Sequence, residues 1–238
     1  MSLSGRGIVV GGGTGDLGLA VVAALLEEGA RVAVPYRTAS AWEALRASLP
    51  ASAEVWGRPA EIADPAAAQR FVDESVGWLG RLDGVAALAG AYAGAGPLHE
   101  APEEEWPAMI TANLQTTYAL CRASLPHLRR HVGSIVTIGS RVVEGGGAGA
   151  AGYAVAKAGV VALTRAVAAE NRAHGVRANC LMPGTIDTPG NRAAMPKADR
   201  SSWTPPGALA RIIVFLLSPA SAPLSGAVLP ADGPAPAL

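Results

Sequence analysis

The chain has 238 residues, half of them hydrophobic, which is enough to bury a sizeable core, and we expect residues 1–238 to form a single domain. Lys plus Arg and Asp plus Glu number 19 each, so no net charge favours nucleic acid, an anionic membrane or an acidic substrate. The expected partner is therefore a small molecule.

Three further features bound the class of protein. Cys121 and Cys180 both lie in apolar stretches, which fits buried thiols in a reducing compartment better than a disulfide framework. The first residues lack a signal-peptide pattern and no run approaches membrane-spanning length, so we expect a cytoplasmic protein without membrane contact. The four histidines are scattered without metal-ligand spacing, which predicts no catalytic metal.

Strand and helix patterns alternate along the chain. Apolar runs predict strands at 7–10, 31–34, 53–56, 84–88, 134–138, 176–181 and 227–229. Helical spacing predicts helices at 17–28, 41–48, 65–79, 103–130 (in one or two segments) and 153–172. Continuously apolar strands alternating with helices predict a parallel sheet covered on both faces, a three-layer, doubly wound α/β fold. Its ligands bind beyond the carboxyl ends of the strands.

Two segments fall outside this pattern. Residues 187–206 have no predicted element, and a loop of that length in a compact domain is usually a functional lid or a disordered insert. Residues 234–238, the sequence PAPAL, are expected to fray.

A glycine-rich turn follows the first strand and precedes the first helix. Gly12, Gly15 and Gly18 form G-x-x-G-x-x-G, with Thr14 and Leu17 between them. Glycines let the backbone approach a pyrophosphate, whose charge is stabilised by the free amides at the start of a helix. The turn therefore predicts dinucleotide binding, and the alternative is a turn that serves close packing only.

Asp16 is the discordant residue of this turn. A carboxylate at the phosphate-binding end of a helix repels a pyrophosphate unless it points outward or caps the helix. We expect Asp16 to cap the first helix.

The stretch from Ser140 to Lys157 carries the pattern S-x12-Y-x3-K. Ser140 follows a predicted strand, and Tyr153 and Lys157 lie four residues apart on the next helix, so their side chains leave the same face. A phenol that donates a proton at neutral pH needs a pKa well below its usual value of about 10, and a nearby ammonium lowers it. The alternative is a helix whose Tyr and Lys merely face solvent.

Five motifs together resemble the short-chain dehydrogenase/reductase family. They are the glycine turn, Asn113 within TANLQTTY, Ser140 within TIGS, YAVAK at 153–157 and PGTIDT at 183–188. They occur in the family's order over nearly the whole chain. The resemblance implies a Rossmann-type fold with a seven-stranded parallel sheet, a nicotinamide cofactor, and a dimer or tetramer paired through the long helices.

The resemblance also implies a catalytic tetrad for hydride transfer between nicotinamide C4 and a carbonyl or alcohol carbon. Tyr153 would donate the proton in reduction, and Lys157 would lower its pKa and hold the nicotinamide ribose. Ser140 would orient the carbonyl, and Asn113 would support a water that replaces protons.

The end of the second predicted strand bears on the choice of nicotinamide. An acid there binds the ribose 2′-hydroxyl and favours NAD, whereas this chain has Tyr36, Arg37 and Thr38. Arg37 and the Thr38 hydroxyl can receive a 2′-phosphate, which predicts a preference for NADP(H) over NAD(H). The alternative is that Arg37 faces water or stacks on adenine.

The remaining cofactor contacts that the resemblance implies lie at other strand ends: Glu61 and Ile62 near adenine, Ala89 and Gly90, and Pro183, Gly184, Ile186 and Thr188 at the nicotinamide end. The chain departs from the family at a few positions: Gly11, Asp16, Glu61 and the pair Ala87-Leu88.

The segment TPGNRAAMPKADRSSWTPP is similar to the substrate loop of dihydropteridine reductases, a branch of the same family. It offers substrate-side or loop-packing candidates: Asn191, Arg192, Met195 and Trp203. Because the pterin branch commonly lacks the serine present here as Ser140, we favour a general carbonyl substrate, such as a 3-oxoacyl thioester or another ketone. Two alternatives are a dihydropteridine-reductase-like enzyme and a catalytically weak, cofactor-binding regulatory protein.

Overall fold

A computed structural model of the chain describes residues 2–233, so the 234–238 tail that we expected to fray lies outside the described residues. The strands are β1 (Gly7–Gly11), β2 (Arg31–Tyr36), β3 (Val55–Pro59), β4 (Gly84–Ala87), β5 (Ser134–Ile138), β6 (Arg177–Pro183) and β7 (Val228–Ala231). The α-helices are α1 (Asp16–Glu27), α2 (Ala39–Ala47), α3 (Pro65–Leu79), α4 (Glu105–Met109), α5 (Thr116–Leu128), α6 (Ala151–Glu170), α7 (Pro189–Ala194) and α8 (Pro206–Leu217).

All seven strands pair in parallel, in the order β3-β2-β1-β4-β5-β6-β7. The predicted seven-stranded, doubly wound Rossmann-type fold is therefore confirmed. Chain order reverses between β1 and β4, and in such sheets the connections leave on opposite sides at that point and open a crevice at the carboxyl edge.

Apolar side chains cover both faces of the sheet, which is why the strands read as continuous hydrophobic runs. On one face Val10, Val22 and Ile213 belong to a cluster in which α8 packs against α1. On the other face Phe71 and Leu120 join α3 and α5 to the sheet. Each fully buried side chain of this size contributes about 1.5–3 kcal/mol of burial free energy.

The predicted elements agree with the structure to different degrees. β5 and α3 have the predicted bounds. The helix predicted at 103–130 is α4, a π-helical turn at Ile110–Gln115, and α5.

Two helices were not predicted. α7 lies within the segment that we interpreted as a loop, and α8 is apolar on nearly every side, so it lacks the 3.6-residue alternation of a surface helix. The signals available were a proline at the first turn of each helix and, for α8, an apolar run too long for a strand.

α6 has 20 residues and a mean hydropathy of 1.2, so by length and composition alone it is long and apolar enough to cross a membrane. Our expectation that no run approaches that length is therefore wrong for α6. The helix nonetheless packs against β6 and buries Lys157, as the core helix of an α/β fold does.

Candidate active site

The carboxyl edge of the sheet brings together segments that are distant in the sequence. β1 ends at the glycine turn, β5 ends two residues before Ser140, and β6 ends at Pro183. α6 packs against β5 and β6, which places Tyr153 and Lys157 at the same edge. Ser140, Tyr153 and Lys157 therefore lie at one edge of the sheet.

Ser140, Tyr153 and Lys157 form a connected group. The Ser140 hydroxyl lies close enough to the Tyr153 phenol to lower its pKa. The Lys157 Nζ donates to the Ile138 carbonyl over 3.0 Å and lies 5.7 Å from the centre of the Tyr153 ring. The alternative in which Tyr and Lys merely face solvent is wrong for Lys157, whose side chain is only 5% exposed.

Burial is the largest cause of the pKa shifts of both Tyr153 and Lys157. It raises the pKa of the Tyr153 phenol above its ordinary value; the Ser140 hydroxyl opposes this shift and Tyr92 adds to it. Burial also lowers the pKa of Lys157 to about 8, slightly offset by Cys180. The Lys157 ammonium, which is directed at the Ile138 carbonyl, is not among the groups that shift the pKa of the phenol, so its predicted effect on Tyr153 stays a prediction.

Asn113 lies in the π-helical turn and is completely buried. Its Nδ2 donates to the carbonyls of Ala91 (2.9 Å) and Met109 (3.0 Å), and its Oδ1 accepts from the Ala91 amide at 3.3 Å. A Cβ at Gly90 would lie 2.6 Å from that Oδ1 and 3.2 Å from the Lys157 Nζ. The Asn113 side chain therefore fixes the backbone just after β4 and keeps it against Lys157.

The glycine turn tests whether the site can hold a dinucleotide. Gly12 has φ +80°, and a Cβ there would lie 2.6 Å from the Ala89 amide; a Cβ at Gly18 would lie 2.1 Å from the Gly12 carbonyl oxygen. Packing alone therefore explains these two glycines. Gly15 differs, because it is exposed at the N-cap of α1 and an added Cβ has ordinary contacts only. A glycine that packing does not require, at a helix N-terminus, fits close approach of a phosphate.

Asp16 does not cap α1, contrary to our expectation. The N-cap is Gly15, which makes no side-chain capping bond, and Asp16 is the first residue of the helix. Its side chain is exposed and favourably placed for the helix dipole. A Cβ at Gly190, in the first turn of α7, would lie 3.7 Å from the Asp16 Oδ2, so this carboxylate stands beside α7.

At the end of β2 the three residues have different surroundings. The Tyr36 ring stacks on Trp42 with centroids 5.4 Å apart, and the Thr38 Oγ1 caps α2 by accepting from the Ala41 amide at 3.4 Å. Arg37 is exposed and makes no hydrogen bond or ion pair within residues 2–233. Arg37 thus directly precedes the N-cap of α2, at the positive end of the helix dipole.

The remaining predicted cofactor residues occupy the same edge. Ile62 is buried near the glycine turn, and the exposed Glu61 accepts from the Ala63 amide at 3.3 Å. After β6 the Ile186 carbonyl accepts from the Asn191 Nδ2 at 2.8 Å, while the Ile186 amide has no partner within residues 2–233. Thr188 caps α7 by accepting from the Asn191 amide at 3.1 Å.

The candidate substrate loop is internally tied. Arg192 forms a bidentate ion pair with Asp187: its Nε donates to Oδ1 at 2.6 Å and its Nη2 donates to Oδ2 at 2.7 Å. Trp203 is only 6% exposed and thus anchors the loop, whereas Met195 is 39% exposed and can meet a ligand.

Residues that we did not predict line the neighbourhood of Tyr153. Tyr92 contacts the Tyr153 ring edge to face with centroids 5.0 Å apart, although it is itself 69% exposed. A cavity of about 340 Å³ lies beside Gly152, and its walls include Leu98 and Trp106. No sequence pattern marks Tyr92 and Leu98, because the 91–104 segment has neither regular structure nor a motif. Among residues 2–233, no three His, Cys, Asp or Glu side chains are grouped as metal ligands.

Comparison with known proteins places these features in a family. A family profile described as Enoyl-(Acyl carrier protein) reductase matches residues 14–233. L-fucose dehydrogenase of Mus musculus is 34% identical over 186 residues, which span 78% of this chain and 67% of the mouse protein. The 3-oxoacyl-[acyl-carrier-protein] reductase of Chlamydia pneumoniae is 29% identical over 98% of both chains. The crystal structure of levodione reductase superposes with a TM-score of 0.90 at 27% identity, covering 97% of each chain.

Fold, motifs and relatives agree, and the chain belongs to the short-chain dehydrogenase/reductase family. It is an oxidoreductase that acts on CH–OH or C=O groups with a nicotinamide cofactor.

Proposed function

We propose that this protein is an NADP(H)-dependent reductase of small, uncharged ketones. The observation that carries the proposal is the grouping of the Ser140 hydroxyl and the Tyr153 phenol beside a buried Lys157 at the carboxyl edge of the sheet. This group can hold and protonate one carbonyl oxygen.

In this proposal a bound nicotinamide supplies the hydride that adds to the carbonyl carbon. Ser140 donates a hydrogen bond to the carbonyl oxygen, and Tyr153 transfers its phenolic proton to that oxygen as the C=O bond becomes C–O–H. The raised pKa of Tyr153 keeps the phenol protonated at neutral pH, so it is in the form required for reduction. Lys157, which is mostly protonated at pH 7, stabilises the phenolate that remains.

The proposed cofactor residues follow from the positions given above. Gly12, Thr14, Gly15, Asp16, Leu17 and Gly18 would surround the pyrophosphate, with Asp16 turned toward α7. Asn113 would maintain the turn at Ala89 and Gly90 against the nicotinamide ribose side. The free Ile186 amide would bind the carboxamide.

The preference for NADP(H) is proposed from the end of β2. Arg37 is exposed and free of protein partners within residues 2–233, and the Thr38 hydroxyl lies beside it at the N-terminus of α2. A 2′-phosphate placed there gains a guanidinium and the positive end of a helix. A 2′-hydroxyl has no carboxylate to accept its proton at this strand end.

The substrate class is proposed from the cavity beside Gly152. Its walls combine apolar side chains, including Leu98 and Trp106, with the carboxylates Glu103 and Glu105. Arg and Lys are absent from the part of this wall that the structure describes. Such surroundings favour a neutral, apolar ketone over a substrate carried on a phosphate-bearing thioester, because carboxylates repel phosphates.

A dihydropteridine-reductase-like activity remains the second candidate, supported by the sequence of the substrate loop and opposed by Ser140.

Assembly into a dimer or tetramer through α4, α5 and α6 is proposed from three exposed apolar side chains on these helices: Trp106 (48%), Tyr118 (39%) and Val155 (47%). A cytoplasmic location and a single domain spanning the chain complete the proposal.

The deciding experiment follows NADPH absorbance with a panel of alicyclic, aromatic and acyl-thioester ketones plus a quinonoid dihydropterin. We expect turnover of a neutral ketone, and Tyr153→Phe should lower kcat by at least about 100-fold, the usual contribution of a general acid, while the Kd for NADPH stays unchanged. Appreciable turnover by Tyr153→Phe would contradict the role of Tyr153. Turnover restricted to the pterin would support the second candidate, and cofactor binding with no turnover of any compound would support the regulatory alternative.

A further inference from the structure

A second cavity, of about 690 Å³, lies far from the proposed catalytic group. Its walls include Ser134 and Arg177, the first residues of β5 and β6, and Asp83, which immediately precedes β4. The cavity is therefore at the amino edge of the sheet, whereas the catalytic group is at the carboxyl edge. Its volume is within the range of small-molecule sites in proteins.

The walls of this amino-edge cavity are strongly basic although the chain as a whole has no net charge. Four arginines line it: Arg6, Arg165, Arg172 and Arg177. Asp83 is the one carboxylate among its described lining residues. The positive charge of the cavity walls therefore does not follow from the composition of the whole chain, whose net charge is zero.

The charge of Asp83 is already compensated. Arg6 lies 3.4 Å from its Oδ1, Arg81 binds both carboxylate oxygens at 2.6 and 2.7 Å, and the Gly7 amide donates to Oδ2 at 3.0 Å. Two cations therefore share one carboxylate. Arg165 and Arg172 are exposed, and their guanidinium groups make no hydrogen bond or ion pair within residues 2–233.

Arg177 is a fixed cation in the same wall. Its Nη1 donates to the Leu216 carbonyl (3.1 Å) and to the Ser221 Oγ (2.8 Å), and its Nη2 donates to the Ser218 carbonyl at 3.1 Å. All of these acceptors are neutral, so they hold the guanidinium in place without cancelling its charge. Burial and the neighbouring Arg6 both lower the pKa of Arg177.

We propose that the amino-edge cavity binds a small anion that carries phosphate groups. Guanidinium groups bind phosphate oxygens through paired, charge-assisted hydrogen bonds, and four of them line this one cavity. The small residues of the rim, Ala222, Pro223, Ser225 and Gly226, leave the volume open. This site is separate from the proposed cofactor site and does not depend on the proposed reaction.

The test uses inorganic pyrophosphate as the probe, titrated calorimetrically into the full-length protein. The titration is made with and without saturating NADPH, because pyrophosphate can also compete for the glycine turn. We expect one saturable site that persists with NADPH present and weakens as salt is raised. In the double variant Arg165→Ala/Arg172→Ala the Kd should rise at least about tenfold, since two guanidinium groups that can donate charge-assisted hydrogen bonds to phosphate oxygens are lost.

Two further variants are titrated with pyrophosphate: one is a control, and one adds a negative charge to the cavity wall. Arg70→Ala/Arg211→Ala removes two exposed arginines that do not line the cavity and should bind pyrophosphate like the wild type. Ala169→Glu places a carboxylate on an exposed helical position of the wall and should weaken binding without removing any arginine. Absence of NADPH-independent binding, or equal Kd values in all four proteins, would overturn the proposal. Thermal unfolding of each variant confirms that it is folded.

Discussion

Lys157 illustrates how one residue acquires its chemistry from its surroundings. An ammonium 5% exposed, with the Ile138 carbonyl as its hydrogen-bond acceptor, is costly to keep charged, and its pKa falls to about 8. The protein tolerates this cost at a position where the charge can stabilise a phenolate next to it. Such destabilised groups are common at functional sites.

The free-energy cost of burying the charged Lys157 side chain depends on pH, and this dependence can be measured. Below pH 8 the lysine is protonated in both the folded and unfolded states, so the folded state bears the whole penalty. Between pH 8 and 10.5 the unfolded chain binds more protons, and stability therefore rises with pH. Relative to Lys157→Met, the wild-type free energy of unfolding should increase by about 2 kcal/mol between about pH 7.5 and 9.5. Urea unfolding at both pH values checks this, and parallel pH profiles for the two proteins would contradict it.

Arg37 allows a residue-scale test of cofactor choice. Arg37→Ala removes a guanidinium that has no protein partner within residues 2–233, so the fold should be unaffected. We expect the Kd for NADPH to rise about tenfold or more, while the Kd for NADH changes by less than about twofold. Fluorescence titration measures both constants. Arg70→Ala is the matched control, an exposed arginine on α3 remote from β2 in sequence. Tighter binding of NADH by the wild type, unchanged in Arg37→Ala, would defeat the preference.

At the scale of elements, the glycine turn between β1 and α1 serves packing and ligand approach with different residues. A Cβ at Gly18 would overlap the Gly12 carbonyl oxygen, whereas Gly15 has room for one. The two roles can therefore be separated by adding one methyl group at a time.

Gly18→Ala should lower the free energy of unfolding by about 3 kcal/mol, because the added methyl group meets backbone that cannot move freely. Gly15→Ala should change it by less than about 1 kcal/mol, since an N-cap with extended backbone accepts alanine. Gly15→Ala should nonetheless weaken NADPH binding, since the new methyl group stands at the helix N-terminus. Denaturant unfolding and cofactor titration of both variants provide the check. Full cofactor affinity in a folded Gly15→Ala would show that Gly15 does not face the pyrophosphate.

The segment after β4 contacts both the π-helical turn and α6. Asn113 bonds to the segment after β4, and Tyr92 on that segment contacts Tyr153 on α6. The π-helical turn that carries Asn113 therefore links the cofactor side of the crevice to the substrate side. A helix prediction for 103–130 contains no signal for such a turn, because it depends on hydrogen-bond partners outside the helix.

At the scale of the whole molecule, α4, α5 and α6 present exposed apolar side chains that a monomer does not need. If these helices pair with a second copy, Tyr118→Glu/Val155→Glu should shift the protein toward monomers, because two carboxylates would be buried in the interface. Analytical ultracentrifugation measures the change. Met195→Glu, on the substrate loop and similarly exposed, should leave the oligomeric state unchanged. A wild type that is monomeric at all concentrations would refute the pairing.

The sequence by itself determined the seven strands, most of the helices and the parallel sheet, and it supplied the four tetrad candidates, because periodicity and motifs are local properties. It also identified Arg37 in place of an acid. Its failures have a common cause. α8 is apolar on nearly every side because most of it is buried, Asp16 does not cap its helix, and the Tyr153 pKa rises with burial. Only the tertiary structure decided these points, along with Tyr92 and the arginines of the amino-edge cavity, because burial and charge convergence depend on which distant segments the fold brings together.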